Sequence, residues 1–473
     1  MVRGSLAVEL IPKVYRAPDL ERFEPASDHG GPPADRPSRT VTREPKELFT
    51  RRTARRPLLA LVLCLLVVVA TGCANRSRPG SGDGRSIEFW SFSGINQAAA
   101  VADYERAHPE IDVQLTEVGS SVETAQSLVT ALAAGKVPDL VLIQGDDLPR
   151  FVEASDNFHD LREFGADEIR SDYLDWVIAQ STGADGRVIG VPTDVGGLAV
   201  AYRTDLFAAA GLPTDRAEVG ALWPTWDDFI EVGRRYTAAT GAAFIDNAAT
   251  SVFYQAVNQG AVKYYDEDGE PVYRESAPVR EAFDLALAAV DAGITAGQSS
   301  FAESWGAGMQ HGDYAAVAAP AWMLNSIRTT APDTAGSWDL APIPGGAGNW
   351  GGSYLAIPRN AENPEAAWEY IRETQSPAGQ LDHFADSGSL PTTPSVYEDE
   401  ALTSFTDPFF SDAPVGRIYT ESLLGLSPFP VGRDSSTIGQ EFLNAITDVE
   451  QGGGDPERAW DRALDNIRIA IGR

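Results

Sequence analysis

Apolar and polar positions along this chain follow two rhythms. From Ile87 to Phe92 (IEFWSF) and again from Ile111 to Val118 (IDVQLTEV) they alternate with period two, as half-buried strands do. Between those runs Asn96 to about Ala107 reads as a helix stopped by Pro109. Ser121 to Ala134 reads as another, closed by Gly135, and Leu140 to Ile143 as a short buried strand. Strand, helix, strand, helix, strand predicts a parallel sheet covered by helices, with right-handed crossovers. Further on, Thr225 and Asp228 stand at capping-box spacing before a helix ending near Gly241. Val279, Phe283, Leu287 and Val290 recur at helical intervals until Gly293. Asn363-Pro364 and Asp455-Pro456 each place an N-cap residue before a first-turn proline. The second pair opens a helix with the stripe Trp460, Leu464, Ile467, Ile471. Between helical blocks the chain returns to short apolar strands at Val188 to Pro192, Leu198 to Tyr202, Ala315 to Ala319 and Tyr354 to Ile357. The pattern predicts an α/β protein of two lobes whose chain crosses between them more than once.

One stretch breaks both rhythms. Leu58 to Gly72 is apolar throughout, preceded by Arg51, Arg52, Arg55 and Arg56 and followed by Cys73. A membrane-spanning helix needs roughly 20 apolar residues, so this run is short. A basic flank, a short apolar core and small residues before a cut describe a secretory signal peptide. Ala70-Thr71-Gly72-Cys73 resembles the bacterial lipobox, in which the cysteine is diacylated and becomes the first mature residue. A plain signal peptide or an uncleaved anchor is the alternative. Residues 1–40 lack apolar periodicity and read as a disordered or spurious extension, 41–72 as the signal region, and 73–84 as a lipidated, flexible tether. Thr50-Arg51-Arg52 partly suggests the twin-arginine export route.

Composition narrows the function. With 37 Lys+Arg against 68 Asp+Glu the formal net charge is −31, and Lys136 and Lys263 are the only lysines after Cys73. Such a surface repels phosphate backbones, which argues against nucleic acid as a partner. Cys64 and Cys73 are the only cysteines, so the part beyond the tether has neither disulfides nor thiolate metal sites. No G-x-S-x-G or P-loop occurs. Gly346 to Gly351 spells G-x-G-x-x-G but does not open a helix. Tyr264 to Glu275 approaches a calcium loop but starts on a residue without a carboxylate, and Asp268-Gly269 reads better as a hairpin turn. His108, His159, His311 and His383 are scattered. Neither metal nor cofactor is expected.

Strand-end loops carry the positive evidence. PDLVLIQGDDL puts Asp146 and Asp147 just past a strand's carboxyl end, where open α/β sheets bind ligands. GVPTDVGGLAVAYRTDLF brings Thr193, Asp194, Gly196 and Gly197 together between two strands, and NWGGSYLAIP offers Trp350, Gly351, Gly352 and Ser353. Carboxylates and hydroxyls give directed hydrogen bonds, and aromatic faces suit the C–H face of a sugar ring. Paired carboxylates such as Asp146 and Asp147 leave a secreted glycoside hydrolase as the alternative.

In order and spacing, IEFWSF, HPEIDVQLTEV, AAGKVPDLVLIQGDDL, GVPTDVGGLAVAYRTDLF, GDYAAVAAPAW, GGSYLAIPRNAENPEAAWEYI, SLPTTPSV and DPERAWDRALDNI resemble the extracellular solute-binding proteins, family 1, of carbohydrate ABC importers. The resemblance implies a bilobal periplasmic-binding-protein-like fold with two or three hinge crossings, expected near Gly196, Val317 and Tyr354. Lobe one would combine 85–195 with 318–353, and lobe two 197–317 with 355–473. It implies a monomeric, non-enzymatic lipoprotein outside the cell, anchored at Cys73, that captures a small carbohydrate and delivers it to the transmembrane subunits of a permease. Ligand contacts are expected from Trp90, Ser91, Ser93, Asp146, Asp147, Thr193, Asp194, Gly196, Gly197, Trp305, Trp322, Trp350, Gly351, Gly352 and Ser353. Tyr202-Arg203 stands where relatives often read YN, and Ser411-Asp412 where a Gly-rich step is common. These departures leave open a non-sugar solute such as a polyamine or peptide, or a surface interaction protein with an inactive cleft.

Overall fold

The computed structural model describes residues 85–472. The N-terminal extension, the signal run, Cys73 and the tether therefore lie outside the described residues.

The first half of the chain builds a sheet. Strand β1 (Arg85–Ser91), helix α1 (Gln97–Ala107), β2 (Ile111–Glu117), α2 (Ser121–Ala134) and β3 (Leu140–Gln144) follow the expected alternation, and β1 pairs in parallel with both β2 and β3. Helix α2 begins on a full capping box, Ser120 and Glu123 each satisfying the other's backbone N–H, and ends at Gly135 with φ 67°. A short helix, α3 (Leu148–Glu153), and β4 (Gly190–Asp194) complete this half.

The chain then enters a second sheet with β5 (Leu198–Arg203), α4 (Trp226–Thr240), β6 (Ala243–Ile245), α5 (Ala277–Asp291), α6 (Glu303–His311), β7 (Tyr314–Pro320), α7 (Met323–Thr330) and β8 (Trp338–Pro342). Its order is β6-β7-β5-β8, with β5 antiparallel to β7 and β8 and β6 parallel to β7. Thr225 caps α4 by accepting from the Asp228 N–H, as the spacing predicts. The Asp268-Gly269 turn forms without strands: its N–H groups turn inward to Asp266, and a single bridge joins Tyr265 to Pro271.

The remaining elements are β9 (Ser353–Ala356), α8 (Pro364–Thr374), α9 (Pro377–Ser387), α10 (Val415–Leu424), α11 (Ser435–Gly452) and α12 (Pro456–Ile471). Strand β9 returns to the first sheet, antiparallel between β3 and β4, giving the order β2-β1-β3-β9-β4. Asn363 precedes α8 but makes no side-chain cap. Its N–H and amide donate to Asp139, which also accepts from the Glu88 N–H, so one buried carboxylate ties β1 to the start of α8.

The strands divide differently from the lobes expected by sequence. Strands β7 and β8 lie within 318–353 or overlap its start, yet both pair with β5 in the second sheet. Strand β9 and α8 fall within 355–473 or overlap its start, yet both pack in the first, α8 against β1. Val317 is buried in the middle of β7 and is no crossing. The chain passes between sheets at 195–197, at 343–352, and again between α9 and α10, which packs on β5 and β8. Periodicity marks a short apolar strand but not which strand it will join.

Alternation sorts the interior. Leu140 and Leu142 face a core shared with α1 and α8, while Val141 and Ile143 face one that continues through Ala199, Ala201, Val317 and Tyr419 into the second sheet. Leu198, Val200 and Tyr202 face a third, with Phe229, Phe283, Phe442 and Trp460. The apolar interior is thus continuous across the crossings.

Candidate functional site

The carboxyl ends of β1 to β4 deliver one wall of a cavity of about 410 Å³. Phe92, Ser93, Gly94 and Ile95 come from the loop after β1, Ser120 and Ser121 open α2, Gln144 ends β3 and Asp194 ends β4. Opposite stand Phe301 ahead of α6, Trp322 and Ser326 at α7, and 350–353 on the connection into β9.

Glycine geometry holds that connection in place. Gly351 (φ 96°) and Gly352 (φ 106°) adopt backbone angles that a side chain disfavours. The turn lets the Trp322 Nε1–H donate to the Trp350 carbonyl at 2.8 Å, and the Gly145 N–H to the Gly352 carbonyl at 2.8 Å. A Cβ on Gly352 would meet the Asp194 carbonyl at 3.0 Å.

Asp194 is buried beside Ser353, its neighbour in register, and accepts from the Thr193 hydroxyl at 2.8 Å. Burial pushes its carboxyl up to about 6, against the lowering effect of the Thr193 and Ser353 hydrogen bonds. Around it runs an aromatic wall. Phe301 lies nearly parallel to Trp322, centroids 6.0 Å apart, and touches Trp305 at 5.2 Å. Trp322 meets Trp350 edge-on at 5.7 Å, and Trp350 meets Tyr254 at 5.3 Å. Phe301 is 55% exposed and holds φ 67°, a left-handed backbone uncommon for a bulky residue.

Ser93, Asp194, Trp322, Trp350, Gly351, Gly352 and Ser353, all singled out from the sequence, line this cavity. The others do not. Trp90 packs on the core and donates to Glu88. Ser91 is fully buried and bonds the Phe92 carbonyl. Thr193 supports Asp194 from behind. Gly196 and Gly197 form the first crossing, where a Cβ on either would collide with the backbone of Trp350 or Tyr419. Trp305 is buried with its Nε1–H on Asp246 at 2.9 Å. Asp147 is paired with Arg150 at 2.7 Å, and burial still raises its carboxyl above the usual range. Asp146 accepts from the Tyr254 hydroxyl at 2.5 Å and lies 4.0 Å from the Lys263 ammonium. These carboxylates stand where strand-end reasoning points, but nearby cations and hydroxyls already engage them.

Several lining residues were missed. Ser120 and Ser121 follow a strand as Asp146 does, so the same rule reaches them. Phe301 sits alone among polar residues in QSSFAES, a weak signal visible only as an aromatic without apolar neighbours. Gln144 directly follows Ile143 and falls under the same strand-end rule, while Ser326 carries no signal. Among the described residues no group of three His, Cys, Asp or Glu could hold a metal, and no helix is long and apolar enough to cross a membrane.

Two α/β lobes joined by three crossings, with a cavity of hydroxyls, an amide, one carboxylate and aromatic faces at the strand ends, define a two-lobed ligand-binding protein. Residues 99–409 match the bacterial extracellular solute-binding proteins, and the chain belongs to that family. The crystal structure of an extracellular solute-binding protein family 1 is 33% identical, with a TM-score of 0.72, covering 82% of this chain and 99% of that one. An arabinooligosaccharide-binding protein of Halalkalibacterium halodurans is 25% identical over 306 residues, 60% of this chain and 65% of the relative. A lactose-binding protein of Rhizobium radiobacter is 28% identical over 284 residues, 56% and 64%. The match thus spans a little under two thirds of the length of these curated relatives.

Proposed function

We propose that the protein captures a neutral carbohydrate between its lobes and passes it to an ABC permease, working outside the cell from a lipid anchor at Cys73. The observation that carries the reading is the cavity itself, which pairs flat aromatic faces (Phe301, Trp322, Trp350) with separate hydrogen-bonding groups (Asp194, Gln144, Ser93, Ser353). Sugars present that mixture, apolar C–H faces ringed by hydroxyls. Both curated relatives are named for carbohydrates, which supports the class.

Two further observations weigh against the alternatives. Asp194 is the only carboxylate among the lining residues, whereas glycoside hydrolysis by the usual route needs two flanking one bond. A polyamine would suit the acidic surface, but the lining offers it only this one carboxylate, whose charge burial opposes. Thermal melts against arabino-oligosaccharides, lactose, other neutral sugars, spermidine and short peptides test the reading. Carbohydrate at a hundredfold excess over its Kd should stabilise the fold by about 2.7 kcal/mol. Stabilisation by spermidine or peptide alone would replace the proposal, as would cleavage of a labelled oligosaccharide.

A further inference from the structure

Phe301 brings its ring to the cavity from a left-handed backbone while more than half exposed. Such an angle persists in a bulky residue only where the surroundings over-determine it. What determines it lies beneath, in a buried carboxylate that the ligand reading does not use. Asp246 directly follows β6 and is 2% exposed. It accepts from the Asn247 N–H at 2.7 Å, the Ser251 hydroxyl at 2.6 Å, the Trp305 Nε1–H at 2.9 Å and, at 3.4 Å, the Ser300 hydroxyl. The Ser251 oxygen accepts in turn from the Ala318 N–H in β7 at 3.2 Å, which roots the group in the second sheet. Backbone bonds reach the same loop: the Gln298 N–H donates to the Asp246 carbonyl at 3.0 Å. The Asn247 amide donates to the Gln298 carbonyl at 3.0 Å and to the Ser300 hydroxyl at 3.2 Å.

We propose that Asp246 is a positioning residue for the ligand cavity, fixing the angle of the Phe301 ring through Ser300, which precedes Phe301, and Trp305, which packs against it. An ionised carboxylate suits this place because it accepts hydrogen bonds and never donates. Burial raises the carboxyl to about 6, against the lowering effect of the Ser251, Asn247 and Trp305 bonds, so it is ionised at pH 7. An amide here would aim its NH2 group at a donor in either orientation. One orientation loses Ser251 and the Asn247 N–H, and the other loses Trp305 and Ser300. Ring angle matters because stacking depends on how two faces meet. The effect on sugar affinity rests on the carbohydrate reading, whereas the hold on the loop does not.

Amide hydrogen exchange and titration of the full chain test this role. Without ligand, Asp246→Asn should speed exchange across 298–302 by about tenfold or more and leave β1 to β3 unchanged. The titration uses arabino-oligosaccharide or lactose, whichever raises the melting temperature more. Asp246→Asn and Phe301→Ala should each weaken its binding by about fivefold. The combined variant should bind within about twofold of Phe301→Ala, since two residues acting through one contact do not add. Ser300→Ala removes a single hydroxyl from the loop. It should show the same coupling with a smaller loss, and serves if Asp246→Asn folds poorly. Losses that multiply to about 25-fold would mean that Asp246 acts independently of Phe301 and would overturn the proposal. Unchanged exchange at 298–302 in a folded Asp246→Asn protein would overturn it too. If neither sugar binds, the carbohydrate reading fails by itself, and the exchange result still decides whether Asp246 holds the loop.

Discussion

Asp194 is a carboxylate whose surroundings oppose its charge. Its pKa is raised from 3.8 to about 6, so the folded protein holds a proton that the unfolded chain has already released. The stability Asp194 confers is therefore greatest below pH 4 and falls as pH rises toward 6, by roughly 3 kcal/mol in total. Asp194→Asn should remove that fall. Denaturant unfolding of variant and wild type at pH 4 and pH 7 should show the variant gaining relative stability at the higher pH. If the ligand is the proposed carbohydrate, the same variant should bind it about ten- to a hundredfold more weakly at pH 7, since a charged acceptor contributes about 1.5–3 kcal/mol. Phe301 makes a complementary case. Phe301→Gly should relax the left-handed backbone and stabilise the ligand-free fold by about 1 kcal/mol. It should also weaken binding several-fold through lost stacking. Paired unfolding and titration experiments separate the two effects. Asp194 was legible as a carboxylate at a strand end. Phe301 was not, because its importance lies in a backbone angle and an exposure that composition does not display.

At the scale of elements, local chemistry was legible and partnership was not. Ser120 with Glu123, Thr225 with Asp228, and Asp455 before Pro456 all cap helices through side chain to backbone bonds, a reach of a few residues. Ser120→Ala should cost about 1 kcal/mol in thermal or denaturant unfolding. It also perturbs the cavity wall, so its effect on binding should exceed that of Thr225→Ala, a cap remote from the cavity. Strand pairing reaches across the chain instead. YAAVAAP and WDLAP are buried runs that could serve any sheet, and what commits them is antiparallel pairing with β5. The family resemblance places a hinge crossing near Gly196, beside a second glycine. The structure adds a steric reason, since a Cβ on Gly197 would lie 2.5 Å from the Tyr419 carbonyl. Gly197→Ala should accordingly push the crossing off α10 and lower the melting temperature, whatever it does to closure.

At the scale of the molecule, the sequence shows an acidic body and the structure brings one of its carboxylates, Asp194, to the cavity. Of the carboxylates predicted to meet ligand, Asp146 faces Lys263 and Tyr254, Asp147 faces Arg150, and Asp194 alone reaches the cavity. A net charge of −31 therefore bears on solubility and partners more than on what enters between the lobes. Titration calorimetry of the wild type and of Trp322→Ala/Asp194→Asn against neutral oligosaccharides, at low and at physiological salt, tests this account most directly. Wild type should show single-site binding with a negative heat-capacity change and nearly the same Kd at both salt concentrations, and the double variant no detectable binding. Equal affinity in the two proteins, or binding only to a cation with an affinity that falls steeply as salt is added, would contradict it.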